Sequence, residues 1–263
     1  MTPTAPPLPI ASQYDSIDEA IHSLTALEQT FRRQHDRRAI FATAYLAITR
    51  AIKQSVADGL FQDNAWVTRY ALCFANLYRT ALLAYERGDM AALPKAWRIA
   101  FETSRSNGAL AIQDLMLGIN AHINHDLALA LIEVTIDPQR PTRYADHCKV
   151  NDILRAATDP MQQRIGQLYA PILNLLDQAC DTIDEDIACF SVEKAREAAW
   201  LAAVALANAR DAAERTALRA SLNDRSAVLA RLILAPTFAH PWVVGALQHL
   251  ETITPWTRFI VPA

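Results

Sequence analysis

The stretch that decides the fold reads Gly118-Ile-Asn-Ala-His-Ile-Asn-His-Asp-Leu127, inside a segment, residues 106–139, that contains no lysine or arginine. From about residue 109 to 133, apolar side chains occupy almost every side of a helix, which is typical of a helix at the centre of a bundle. Asparagine, histidine and aspartate side chains in such a helix cost free energy unless they find partners. We therefore expect a buried central helix whose polar side chains form either a hydrogen-bond network or a functional site.

The composition favours helices over the whole chain. Of 263 residues, 52% are hydrophobic and 20% are charged, which is typical of a globular protein. The 6 glycines are few for the turns of a sheet protein of this length. We predict an all-α fold, a single-domain multi-helix bundle over residues 15–263 around the central helix 109–133, preceded by a flexible proline-rich arm, residues 1–14.

Capping residues and apolar periodicity place the other helices. Ser16-Ile-Asp-Glu19 fits a capping box that opens the first helix, Asp63 or Asn64 caps the third, and Gly59 and Gly88 end the second and third. Two prolines in residues 137–142 are expected to separate the central helix from the next. The predicted helices are about 17–33, 36–58, 64–87, 90–104, 109–133, 144–157, 160–180, 191–210, 211–221, 224–234 and 241–252, before an extended tail.

Charge and motifs exclude several classes of function. The net charge is −3, and the 25 lysines and arginines are scattered, so a nucleic-acid partner has no support. No Gly-rich nucleotide loop and no GxSxG nucleophile motif is present. Residues 109–134 are long enough to cross a bilayer, but Asp114 and Asp126 favour a buried helix and no membrane partner. The four cysteines show no CxxC spacing, and with no signal-peptide pattern at the start we expect a cytoplasmic protein of undetermined oligomeric state.

The central helix carries the candidate chemistry. His122 and Asp126 stand four residues apart, a spacing at which two helical side chains can meet, and His125 lies on the same side of the helix. Imidazole and carboxylate suit Zn or Fe, so His122, His125 and Asp126 are the predicted metal ligands. Asp114 lies on this face too far away to contribute more than second-sphere contacts. A purely structural hydrogen-bond network and a metal-free acid–base or ligand site are the alternative interpretations.

Other polar groups have simpler interpretations. Arg69, on the third helix, is expected to be solvated or ion-paired, or to meet a core carboxylate or an anionic substrate. Asp146 is expected to favour the N-terminal end of its own helix. The group Glu193, Arg196, Glu197 and Trp200 is expected to be a surface ladder of salt bridges with Arg196 over Trp200. The remaining histidines, expected at the surface or in packing, are His22, His35, His147, His240 and His249.

Several segments together resemble a family of bacterial proteins of unknown function. They are Phe41-Ala-Thr-Ala-Tyr-Leu-Ala-Ile-Thr49, Trp66-Val-Thr-Arg-Tyr-Ala-Leu-Cys-Phe-Ala-Asn-Leu-Tyr78, Ala96-Trp-Arg-Ile-Ala-Phe101, the 118–127 stretch, and Ala195-Arg-Glu-Ala-Ala-Trp200. The resemblance implies a single helical domain and brings no activity with it. His125 departs from the family pattern, which has an apolar residue there, and this weakens the metal interpretation. The positions that the resemblance emphasises are Arg69, Asn76, His122, Asn124 and Asp126.

These observations lead to one leading function and two alternatives. The leading expectation is a metal-assisted hydrolase or lyase that acts on a small, largely apolar substrate in an internal cavity. Its predicted catalytic residues are His122 and Asp126, with Asn124 and Arg69 orienting the substrate. The first alternative is a metal-free acid–base cyclase or isomerase that uses His122. The second is a non-catalytic ligand-binding or scaffold protein.

Overall fold

The computed structural model describes residues 8–169 and 192–235, which form helices and no strand. The all-α, single-domain prediction is confirmed. A π-helix, His122–Asp126, joins α5 to α6, so that the three form one central helix. The α-helices are α1 (Ile17–Arg33), α2 (Arg38–Ala57), α3 (Asn64–Glu86), α4 (Lys95–Ser106), α5 (Ala111–Ala121), α6 (Leu127–Glu133), α7 (Arg140–Tyr169), α8 (Val192–Ala207) and α9 (Ala212–Leu234).

Helix ends follow the local signals in the sequence. The Ser16 hydroxyl accepts the Glu19 backbone N–H at 3.1 Å, and the Asp63 carboxylate accepts the Trp66 N–H at 2.8 Å. Each of these bonds satisfies a free donor at a helix start. Gly59 and Gly88 follow α2 and α3 with φ of +69° and +71°, the left-handed conformation that glycine adopts at low cost. These predicted boundaries are confirmed.

Prolines led to three wrong boundaries. The fourth helix starts only at Lys95, after Pro94, whereas residues 90–93 form turns. The seventh helix starts at Arg140, because Pro141 lies in its first turn, where no N–H is needed. It then runs through Pro160 as one helix, packed along α2. The helix after Asp211 is likewise continuous to Leu234, and the predicted segments 170–180 and 241–263 lie outside the described residues.

The central helix lies where it was predicted. Every residue from 111 to 132 is at least partly buried, and this run contacts α2, α3, α4, α8 and α9. Among the described residues, the helical run Ala111–Glu133 is long and apolar enough to cross a membrane, and 67% of its most apolar window is buried inside the protein. Its surroundings are those of a core helix.

The N-terminal arm is packed at its end. Tyr14 is only 1% exposed, its hydroxyl lies 3.0 Å from that of Ser23, and its backbone N–H donates to the Asn76 side chain at 3.0 Å. The packed domain therefore begins before residue 15. Asn76, a position that the family resemblance emphasises, holds this segment against α3.

Candidate active site on the central helix

The π-helix sets the geometry of the site. The Leu127 backbone N–H donates to the carbonyl of His122, five residues earlier, which is the hydrogen bond that defines a π-turn. Such single wide turns inside α-helices occur frequently at functional sites. Within this turn, both His122 and His125 reach the carboxylate of Asp126. The four-residue spacing predicted the approach of His122, but an ideal α-helix does not predict the π-turn.

Asp126 is the acceptor for three buried side chains. His122 Nδ1 lies 3.0 Å from Oδ2, and His125 Nδ1 lies 2.8 Å from Oδ1. The Trp97 indole N–H also donates to Oδ2, at 2.7 Å. The predicted approach of His122 to Asp126 is therefore confirmed, and the metal and catalytic roles of the three residues stay predictions. Trp97 was missed as a site residue, although a buried indole N–H needs an acceptor and this was the available signal.

Electrostatics determine the protonation of this group. Burial alone raises the pKa of Asp126, but the hydrogen bonds from His122 and His125 outweigh it, so its pKa lies below the usual value. Burial holds the pKa of His122 below 6.5, and Asp126 offsets this only in part. At neutral pH we therefore assign an ionised Asp126 and a neutral His122. Because Asp126 needs a donor, the proton of His122 belongs on Nδ1, which leaves Nε2 as a free base.

An aromatic box encloses the imidazole of His122. The Phe74 ring stacks on it with centroids 3.4 Å apart, and the Tyr45 ring meets it edge-on at 4.5 Å. The rings of Phe41 and Trp97 lie at 5.8 and 5.9 Å. In this box, Nε2 is buried and has no hydrogen-bond partner. An unsatisfied buried nitrogen is uncommon in proteins, and a catalytic role is one explanation for it.

A cavity of about 320 Å³ lies beside His122, between α2, α3, the central helix, α7 and α8. Its volume is within the range of small-molecule sites. Most of its wall is apolar. Arg155 and Glu193, which are largely exposed, mark its opening. The apolar and aromatic lining includes Phe41, Tyr45, Ile48, Ile52, Val67, Phe74, Ile119, Ile123, Val150 and Leu154.

A second polar cluster lines the same cavity, around Arg196. This arginine is only 4% exposed, so the expected surface salt-bridge ladder is wrong. Its Nε donates to the Asn151 amide oxygen at 2.6 Å, and Nη2 donates to the backbone carbonyl of His147 at 2.7 Å. The hydroxyl of Tyr70 lies 3.3 Å from Nδ1 of His147. His147 is thus a buried residue with specific partners, which the sequence did not indicate.

The three predicted metal ligands, His122, His125 and Asp126, are linked by hydrogen bonds. Nδ1 of His122 and Nδ1 of His125 both point at oxygens of Asp126, so these donors satisfy one another and do not converge on a common point. Within residues 8–169 and 192–235, no group of three His, Cys, Asp or Glu residues is arranged to hold a metal ion. The Zn or Fe site therefore finds no support among these residues and stays a prediction.

The structure separates other predicted residues from this site. Arg69 is exposed on α3, and Asn124 is half-buried and donates to Asn120 at 3.0 Å. Neither lines the cavity. Asp114, expected on the same face, instead accepts Arg37 Nε at 2.5 Å. Asp146 accepts the backbone N–H groups of Gln62 and Asp63, both at 2.8 Å, so it holds the segment that leads into α3 and does not cap its own helix.

Comparison with known proteins gives a family and no activity. A family model described as a family of unknown function (DUF5995) matches residues 17–236. The chain belongs to this family. The DUF5995 match runs from the first residue of α1 to just beyond the last residue of α9, so it includes all the described residues that line the cavity. Searches of curated proteins and of solved structures found no match.

Proposed function

We propose that this protein is a metal-free acid–base enzyme, an isomerase or cyclase, that acts on a small, largely apolar substrate in the cavity beside His122. One observation carries the proposal. His122 lines the cavity, its buried Nε2 has no hydrogen-bond partner among the described residues, and its Nδ1 is held by Asp126. A histidine oriented by a carboxylate on one nitrogen and free on the other is the arrangement of a general base.

The proton transfers follow from these protonation states. Nε2 of neutral His122 removes a proton from a C–H or O–H of the bound substrate, and the electron pair shifts into the substrate. The ionised Asp126 stabilises the imidazolium that forms. The imidazolium then returns its proton at a second position, so the reaction is neutral overall and needs no oxidant. Tyr45, whose pKa burial raises well above 10, stays protonated and supplies a hydrogen-bond donor beside the ring.

A first experiment tests the base without a substrate. In ¹⁵N NMR of histidine-labelled protein, we expect His122 to be neutral at pH 7 with its proton on Nδ1 and to titrate below 6.5. A proton on Nε2, or a charged ring at pH 7, would rule out the proposed base.

A second experiment tests proton transfer. Apolar ketones and enones of about ten non-hydrogen atoms are incubated with the protein in D₂O, and deuterium incorporation is measured by mass spectrometry. His122→Gln should lose about 10²–10⁴-fold of the exchange rate, the usual contribution of a general base. His125→Gln is the matched control, because His125 bonds the same carboxylate but does not line the cavity. Equal rates in both variants would contradict the role of His122.

Elemental analysis of the purified protein separates this proposal from the metal-assisted hydrolase or lyase expected from the sequence. We expect no stoichiometric Zn or Fe, and unchanged exchange after treatment with a chelator. A stoichiometric ion that is lost in His122→Gln would favour the metal enzyme.

A further inference from the structure

The cavity contains a buried positive charge with no carboxylate partner in the described part of the chain. Arg196 is 4% exposed, and its Nε and Nη2 bond to an amide oxygen, a backbone carbonyl and the ring of a histidine. All these partners are neutral, and so is the buried hydroxyl of Tyr70, which also hydrogen-bonds to Arg196. A buried cation without a counter-charge is costly, and proteins nearly always pair it.

The neighbouring groups do not neutralise Arg196. Glu193, one turn earlier on α8, is exposed and faces Arg155, 3.9 Å away. Glu197 accepts the hydroxyl of Tyr144 at 2.8 Å. His147 is kept neutral, because burial and then the positive charge of Arg196 hold its pKa well below 6.5. Counting the described residues alone, the cluster therefore carries a single positive charge.

Another buried arginine, Arg143, lies near a carboxylate, since its charge contributes, after the hydrogen bond from Arg140, to the lowered pKa of Asp137. Its own Nε has no hydrogen-bond partner among the described residues. Arg143 is 8% exposed and donates from Nη1 to the carbonyls of Thr135 and Asp137 at 3.1 and 2.6 Å. These carbonyls lie at the C-terminal end of the central helix, where the helix dipole favours a cation. Arg143 does not line the cavity. Arg196 has no comparable helix end and faces the cavity instead.

We propose that Arg196 binds the carboxylate of the ligand and that the ligand is a small amphipathic acid, whose apolar chain fills the rest of the cavity. A guanidinium pairs with a carboxylate through two parallel hydrogen bonds, and a single positive charge matches a monoanion better than a phosphate dianion. The apolar lining provides for the chain. Given about 30 Å³ per water-sized group, the cavity of about 320 Å³ holds roughly ten non-hydrogen atoms.

Binding of the carboxylate by Arg196 would also orient the substrate of the proposed enzyme. This part of the inference rests on the function proposed above. The Phe74 ring lies 3.4 Å from that of His122 and 6.3 Å from that of Tyr70, whose hydroxyl contacts His147 beside Arg196. Two aromatic rings therefore separate the base from the anion site. The atom that loses a proton to His122 lies several bonds away from the carboxylate.

Calorimetric titration with octanoate and octanamide tests the anion site. The two compounds have ten non-hydrogen atoms each and differ in charge. Wild type should bind octanoate at least about tenfold more tightly than octanamide, since hydrogen bonds to a charged group are the stronger ones. Arg196→Met should remove this preference, and Arg196→Lys should keep part of it because the charge remains. Arg98→Met, which changes an exposed arginine that does not line the cavity, should keep all of it.

Three outcomes would overturn the proposal: no binding of octanoate, equal binding of both compounds by wild type, or an undiminished preference in Arg196→Met. If Arg196→Met does not fold, equal affinities of Arg196→Lys and wild type for octanoate would overturn it. His122→Gln separates the two proposals. Suppose that Arg196→Met loses the preference for octanoate while His122→Gln exchanges deuterium as fast as wild type. The proposed enzyme function is then refuted, and the proposed carboxylate site at Arg196 stands. If Arg196→Met keeps the preference and His122→Gln loses the exchange, only the carboxylate site is refuted.

Discussion

Arg37 and Arg196 are both buried, at 8% and 4% exposure, and they are satisfied in different ways. Arg37 donates to the carboxylate of Asp114 at 2.5 Å, and Ser104 donates to the same carboxylate at 2.9 Å. Within residues 8–169 and 192–235, Arg196 meets only neutral groups, and it faces a cavity. The first arrangement joins the start of α2 to the central helix and is complete within the protein. The second is incomplete, and this difference separates architecture from a binding site.

Breaking the Arg37–Asp114 ion pair should have the largest effect on the free energy of unfolding. Asp114→Ala leaves Arg37 buried without its carboxylate, which typically costs about 3–5 kcal/mol. Denaturant unfolding measures this loss. Asp224→Ala, which removes the exposed partner of Lys95, is the control and should cost less than about 1 kcal/mol. If both variants lose the same small amount, the Arg37 pair does not stabilise the fold.

Replacing Asp126 should have the next largest effect on stability. Like Asp114 it has buried partners within the protein, and like Arg196 it belongs to the site, since His122, one of its partners, lines the cavity. In Asp126→Asn, the amide has one acceptor oxygen for three donors, so at least one buried donor is left unpaired, at a cost of about 1–3 kcal/mol. The matched control is Asn124→Ala, whose side chain donates only to Asn120 and is half-buried. A thermal melt of Asp126→Asn equal to that of wild type would contradict the network.

The dependence of stability on pH tests the neutral histidine beside Arg196. Burial and the arginine lower the pKa of His147, so below about pH 6.5 the unfolded chain binds a proton that the folded protein does not. The free energy of unfolding therefore falls as pH falls through 6.5, by up to about 1.4 kcal/mol per pH unit for this group. His147→Gln should flatten this slope, while replacement of the exposed His22 should not. Identical slopes in wild type and His147→Gln would show that His147 is not kept neutral.

Removing the charge of Arg196, which has no carboxylate partner among the described residues, should have the smallest effect on the free energy of unfolding. Arg196→Met exchanges an uncompensated buried cation for an apolar side chain of similar length, so we expect unfolding free energy within about 1 kcal/mol of wild type. Its cost should be well below that of Asp114→Ala in the same denaturant series. A loss of 3 kcal/mol or more, a size expected for a broken buried pair, would place Arg196 in the architecture.

The approach of His122 to Asp126 was predictable because it depends on local spacing along one helix. The π-turn that contains His125 was not, since its wider turn is not encoded in a 3.6-residue period. Ile119 and Ile123, which the apolar period places in the core, line the cavity instead. The apolar period of a helix identifies its buried, apolar face. It cannot distinguish a face packed in the core from one that lines an apolar cavity, because both are apolar.

The helical class, the position of the central helix and most of the capped helix ends follow from the sequence alone, because they depend on composition and on contacts within a few residues. Which buried charges find a partner of opposite charge depends on how the helices pack. Trp97 reaches Asp126 across 29 positions of the chain, and Arg196 lies beside His147 across 49. Such pairings depend on how helices pack, and no local pattern distinguishes a solvated arginine on α8 from one that faces a cavity.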